Sequence, residues 1–161
     1  MKKLRAILPL LLIPLSACGL GIDGDFDFAV TVNSEVNEYS DAGTVDPCSQ
    51  EEVRDNADKL SRADIISIVM QITNVSADNR ATTASVTGTV GGISQTIPNV
   101  AIDASADPVT FEFTPEEYSS LSEALVNCTP LDWTVQGEAD QAPVIFDAVV
   151  TVQAEFEADA F

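Results

Sequence analysis

Apolar residues fall at every second position over much of this chain. From residue 26, Phe26, Phe28, Val30 and Val32 alternate with Asp27, Ala29, Thr31 and Asn33. That period predicts a strand with one buried and one wet face. Ile66, Ile68, Met70 and Ile72 alternate in the same way with Ser67, Val69, Gln71 and Thr73. Residues 81–90, rich in Thr, Val and Ser, run into Gly91-Gly92 and predict a hairpin with a two-residue turn. That turn sets Val90 opposite Ile93 and Val86 opposite Ile97. Residues 99–103 continue the second arm or begin a further strand. Val109, Phe111 and Phe113 form a short strand, and Leu131, Trp133 and Val135 another. The last strand is the longest, with Val144, Phe146, Ala148, Val150, Val152, Ala154 and Phe156 on one face.

Two segments change period. Residues 49–60 place Val53, Ala57 and Leu60 at helical spacing, and Ser49-x-x-Glu52 has the form of a capping box. Residues 115–126 follow Thr114, with Pro115 in the first turn, Glu117 three residues after the cap, and a stripe of Tyr118, Leu121 and Leu125. Cys48 precedes the first helical segment and Cys128 follows the second. A bond between them ties the two helical connections together at one end of the fold.

About seven strands with one-faced alternation predict a mainly β fold, an antiparallel β-sandwich with two short helices. In architecture, residues 26–161 resemble the immunoglobulin-like sandwiches of exported lipoproteins. Trp133 follows both cysteines, so the Cys-Trp-Cys order of true immunoglobulin domains is absent. The first and last strands are edge candidates, where Asp27, Glu155 and Glu157 discourage unwanted pairing. An outer-membrane barrel is the structural rival. The chain ends in Phe161, but one Trp, two Tyr and seven Phe are too few for two aromatic girdles.

The first residues do not fit this pattern. Lys2, Lys3 and Arg5 precede a run of Ala, Leu, Ile and Pro over residues 6–15, too short to span a bilayer as a helix. Leu15-Ser16-Ala17-Cys18 resembles the bacterial lipobox at every position. The resemblance implies a signal peptide over residues 1–17, cleavage before Cys18, and a diacylglycerol thioether on its sulfur. Palmitate-type acyl chains then hold the chain to a membrane, each buried CH₂ contributing ~0.8 kcal/mol. Residues 18–25 read as the lipidated Cys and a short tether, and 26–161 as one domain. Gly19, where an Asp would resemble an inner-membrane retention signal, points to the outer membrane in an organism with two membranes.

Charge narrows the partners. The formal net charge is −19, and residues 1–17 carry three positives and no acid, so the mature chain stands at −22. Its cations are Arg54, Lys59, Arg62 and Arg80. Such a surface repels nucleic acid and anionic lipid. It resembles the acidic usage of proteins from saline habitats. With Cys18 lipidated, Cys48 and Cys128 are an even remainder outside the cytoplasm and predict one disulfide. Closing a loop of about 80 residues gives an ideal entropic gain of ~4.5 kcal/mol.

Catalytic chemistry finds little support. The chain has no His, which excludes Ser-His-Asp and Cys-His mechanisms and leaves no zinc site. Neither a G-x-S-x-G nor a P-loop occurs. The expectation is therefore a cell-envelope lipoprotein, not an enzyme, acting as an interaction or structural module on a protein partner. The alternative is a calcium- or glycan-binding surface module. Asp23, Asp25 and Asp27 alternate like the first half of an EF-hand loop, but Phe28 stands where Gly is needed. Tyr39, in the polar run Asn37-Glu38-Tyr39-Ser40-Asp41, is the candidate contact for a ligand. Trp133 is placed in the core by its strand.

Overall fold

The computed structural model describes residues 20–159; Cys18 and Phe161 lie outside the described residues. Eight strands run in chain order: β1 (Leu20–Ser34), β2 (Glu38–Val45), β3 (Leu60–Val75), β4 (Thr83–Val90), β5 (Ile93–Ala101), β6 (Val109–Phe111), β7 (Leu131–Ala139) and β8 (Val144–Ala158). A 3-10 turn at Pro47–Ser49 and the single-turn helix α1 (Glu51–Arg54) join β2 to β3, and helix α2 (Pro115–Val126) joins β6 to β7.

The predicted antiparallel sandwich is the fold observed, as two four-stranded sheets in the orders β1-β8-β3-β6 and β2-β7-β4-β5. Within them β1 pairs β8, β2 pairs β7, β3 pairs β6 and β4 pairs β5, so that every pair nests inside the one before. Apart from the β4–β5 hairpin, each connection carries the chain from one sheet to the other. This nesting is the connectivity of an eight-stranded jelly roll. An immunoglobulin sandwich instead pairs its first strand with its second. Alternation gives each strand its faces but not its neighbours, which is why the order departs from the expected resemblance. For the same reason β8 is no edge: it lies between β1 and β3.

Inward residues from the two sheets meet in one core. Phe28 of β1 stacks on Trp133 of β7 with centroids 5.7 Å apart, and Tyr39 of β2 meets Phe146 of β8 edge-on at 5.7 Å. Such pairs contribute ~0.5–1.5 kcal/mol beyond their burial. Every residue assigned to the inner face of the last strand is buried, and Ala158 extends that row. At the hairpin, Val90 faces Ile93 and Val86 faces Ile97 as predicted. Gly91 and Gly92 have φ of 56° and 86°, a left-handed pair that suits a tight hairpin turn. Residues up to Ala101 continue β5 past a register shift at Asn99, whose φ is 57°.

Three further expectations change. Strand β1 begins at Leu20, so the residues read as a tether after Gly19 belong to the sheet. The first helix is one turn long, starting after a 3-10 turn that Asp46 caps through Cys48 N, and the Ser49–Glu52 box does not form its N-cap. In β3 a bulge between Ile65 and Ser67 leaves Ile66 58% exposed, although Ile68, Met70 and Ile72 are buried as expected. Helix α2 forms over the predicted residues, with Thr114 and Glu117 completing the capping box.

The helical connections have a structural role. Strands β1, β3 and β8 are 15, 16 and 15 residues long, whereas β2 and β7 have 8 and 9. The first sheet therefore overhangs the second at the end where Leu20 and Leu60 flank Ala158 from opposite sides. Ile22, Ala63, Ala154 and Phe156 on this overhang are still buried, in the same core as Val53 of α1 and Leu125 of α2. The Cys48–Cys128 disulfide joins the two covering segments, with Cα atoms 5.4 Å apart.

Candidate functional site

The carboxylates of Asp23, Asp25 and Asp27 project from one exposed face of β1, opposite Glu155, Gln153 and Thr151 of β8. An extended strand spaces alternate residues ~7 Å apart, whereas an EF-hand loop curls its ligands around one ion. Asp27 is already engaged, accepting from the Thr151 hydroxyl at 2.6 Å. The Asp25 carbonyl accepts from the Gln50 side-chain amide, which ties α1 to this edge. Among the described residues, no group of three or more acidic or sulfur ligands converges with metal-holding geometry.

Tyr39 is buried in β2 rather than displayed on a loop, which removes it as an exposed ligand contact. The error was one of period. Tyr39, Asp41, Gly43 and Val45 form the inward row of β2, and Asp41 and Gly43 disguise its apolar character. The Tyr39 hydroxyl donates to the Ser85 carbonyl at 2.8 Å, and burial pushes its pKa upward. Trp133 is also buried, as its strand position predicted.

Helix α2 lies along β3 where that strand has no neighbour on the side away from β8, since β6 pairs only with Ile68–Met70. An open groove of about 550 Å³ runs between them, lined by Arg62, Asp64, Tyr118, Ser119, Ser122 and Glu123 among others. Arg62 contacts Asp64 at 2.9 Å, both exposed, so the pair is solvent-screened. With no His in the chain, the groove holds no general base of imidazole type beside Ser119 and Ser122.

The end of the sandwich opposite Leu20 carries a preorganised set of loops that the sequence reading did not single out. The Asp140 carboxylate accepts from Thr82 N at 2.9 Å, Thr83 N at 3.2 Å and the Thr82 hydroxyl at 2.5 Å. These bonds hold its pKa down at about 2, the Thr82 hydroxyl contributing most. Asn79 Oδ1 accepts from Ile145 N, and Arg80 N donates to Pro143 O. Together they zip the β3–β4 loop to the β7–β8 loop. Asp103 caps Ser105 in the neighbouring β5–β6 loop, and its carboxyl is also held down by that backbone bond. The β1–β2 turn at the same end exposes Val36 to 58% of its area, above a Ser34 hydroxyl that bonds the carbonyls of Val36 and Glu38. The one local signal was Asp103-Ala104-Ser105, an Asp two residues before a Ser, a pattern of local capping.

No protein-family model matches the chain, and no curated protein matches it. Solved structures align with it at low similarity. One from Desmodium yellow mottle tymovirus aligns with TM-score 0.43 and 13% identity, covering 100% of this chain and 93% of that one. One from turnip yellow mosaic virus aligns with TM-score 0.42 and 12% identity, covering 100% and 91%.

Proposed function

We propose that this chain is a lipid-anchored lipoprotein of the cell envelope, a non-catalytic module that presents a rigid surface to a protein partner. The observation that carries the reading is the lipobox match Leu15-Ser16-Ala17-Cys18, placed immediately before the first strand. Support for a binding role comes from the loops at the far end of the sandwich. Asp140, Asn79 and Asp103 fix them in place, which lowers the entropy lost when a partner docks. The strongly acidic mature surface favours a cationic protein partner and disfavours nucleic acid.

The reading is tested on intact envelopes of the native organism by Cys18→Ala and by cross-linking. Cys18→Ala releases the protein from the membrane fraction. Carboxylate-reactive cross-linkers capture one recurrent protein partner; amine-reactive ones have a single mature Lys, Lys59, to work with. Retention of Cys18→Ala on membranes, or no recurrent partner in wild-type envelopes, contradicts it.

A further inference from the structure

The position of Leu20 bears on how a domain anchored at Cys18 stands on its membrane. This inference rests on the lipoprotein reading of Cys18 and goes beyond it. Only Gly19 stands between Cys18 and β1 in the sequence, and two residues of chain span at most ~7 Å. Leu20 pairs with Ala158, Ala158 pairs with Leu60, and Asp159 N donates to Lys59 O. Neighbouring strands are ~5 Å apart, so Lys59 lies within about two strand widths of Leu20. Strand β1 runs 15 residues, or ~50 Å, from that end to the far loops.

Two orientations are open to a domain held so short: on its side or on its end. Charge selects between them. The flank formed by β1 and β8 exposes Asp23, Asp25, Asp27, Glu155 and Glu157, which phosphate headgroups repel. Three of the four mature cations, Arg54, Lys59 and Arg62, belong to the segment between α1 and the start of β3, at the Leu20 end. All three are exposed. Acids share this end, with Arg54 contacting Asp55 at 3.2 Å and Arg62 contacting Asp64 at 2.9 Å. Residues 51–64 hold five acids against these three cations, so this end is net negative but less so than the β1–β8 flank, which has no cation, and the anchor itself supplies the attraction.

We propose that the sandwich stands on end, with the Arg54–Arg62 segment against the lipid headgroups and the Val36, Asp78, Asp103 and Asp140 loops held outermost. The surface presented to a partner is then that loop set, ~50 Å from the bilayer along β1.

Lys59, the one lysine of the mature chain, provides the test. Full-length lipidated protein is reconstituted into phosphatidylcholine–phosphatidylglycerol vesicles, whose headgroups carry no primary amine, and treated with a membrane-impermeant amine-acylating reagent. The soluble reference is the Cys18→Ser protein. Labelling at residue 59 is read by peptide mass spectrometry, which separates it from the chain amino group. Lys59 reacts severalfold more slowly on vesicles than in solution. In a Lys59→Arg, Ala77→Lys protein, the new lysine on the exposed β3–β4 loop reacts at the same rate in both states. Equal rates for Lys59 overturn the upright orientation, and slowing at residue 77 shows a domain lying flat. The mass of the N-terminal peptide is read in the same experiment. A lipid-free Cys18 overturns the anchor reading and this inference together, whereas a lipidated Cys18 with unprotected Lys59 overturns the orientation alone.

Discussion

The hydroxyl of Tyr39 on β2 reaches across β7 to the carbonyl of Ser85 on β4, a 2.8 Å bond that joins three strands of one sheet. It passes over Gly137, the β7 residue directly opposite Tyr39. A Cβ at Gly137 would lie 1.9 Å from Ser85 O and 2.7 Å from the Tyr39 hydroxyl oxygen. The space and the bond are one arrangement, and two substitutions separate them. Tyr39→Phe leaves a part-buried carbonyl short of a donor and costs ~1–2 kcal/mol in chemical denaturation. Gly137→Ala forces two backbones apart and costs more, ~3 kcal/mol or loss of folding. Equal effects would contradict this geometry.

Acid should loosen the far loops before the core. Asp140 has a folded-state pKa of about 2, depressed from the ordinary carboxylate value by its bonds to Thr82 and Thr83. A depressed carboxylate contributes stability above its unfolded pKa and loses it as pH falls through the folded one. The window therefore runs from about pH 4 down to about pH 2. Protection factors at Thr82 and Thr83, taken relative to the intrinsic exchange rate at each pH, fall through that range ahead of those at Val150 or Val152. Asp140→Asn removes that Asp140-linked fall at the two amides.

Cys128 occupies a backbone position more usual for glycine. Its φ is 51°, and it follows the C-cap Asn127 of α2, with Cys128 N donating to Leu125 O and Thr129 N to Ala124 O. That is a Schellman ending with a non-glycine residue in the left-handed site. Cys48→Ser, which opens the disulfide, costs ~2–5 kcal/mol. In that background Cys128→Gly is more stable than Cys128→Ser by ~1 kcal/mol, because glycine enters the left-handed region without steric penalty. Paired urea titrations of the two double variants measure the difference, and no difference contradicts the assignment.

The bulge in β3 separates two isoleucines that share a period in the sequence. Ile66 is 58% exposed and Ile68 is 1% exposed. Ile66→Thr changes stability by no more than ~0.5 kcal/mol. Ile68→Ala costs ~2–5 kcal/mol through lost burial and the cavity left behind. Similar losses at both sites would place Ile66 in the core after all.

These residues also show how far the sequence could be read. The faces of β1, β7 and β8 were legible because their inward positions are uniformly apolar, from Phe26 to Val32 and from Val144 to Phe156. The hairpin register was legible because two glycines admit one tight turn. Strand β2 was not, because its inward row includes Asp41 and Gly43, and Tyr39 alone looked like a loop aromatic. The Ile66 phase was hidden because a bulge adds a residue without changing the alternation on either side. Helix α1 was overestimated because Val53 is the one residue of its apolar stripe that is fully buried. Strand order needed the pairing of β1 with β8, set by contacts more than a hundred residues apart in the chain. The disulfide was legible as the pair of cysteines left once Cys18 is read as a lipidation site. The far loops were not, since Asp140 and Thr82 are ordinary surface residues until the fold brings them together.

The central claim concerns Cys18, and the mass of the N-terminal peptide of the protein purified from native membranes tests it most directly. The account predicts a peptide beginning at Cys18 and carrying a thioether-linked diacylglycerol. A chain beginning elsewhere, or an unmodified Cys18 thiol in membrane-derived protein, would contradict it.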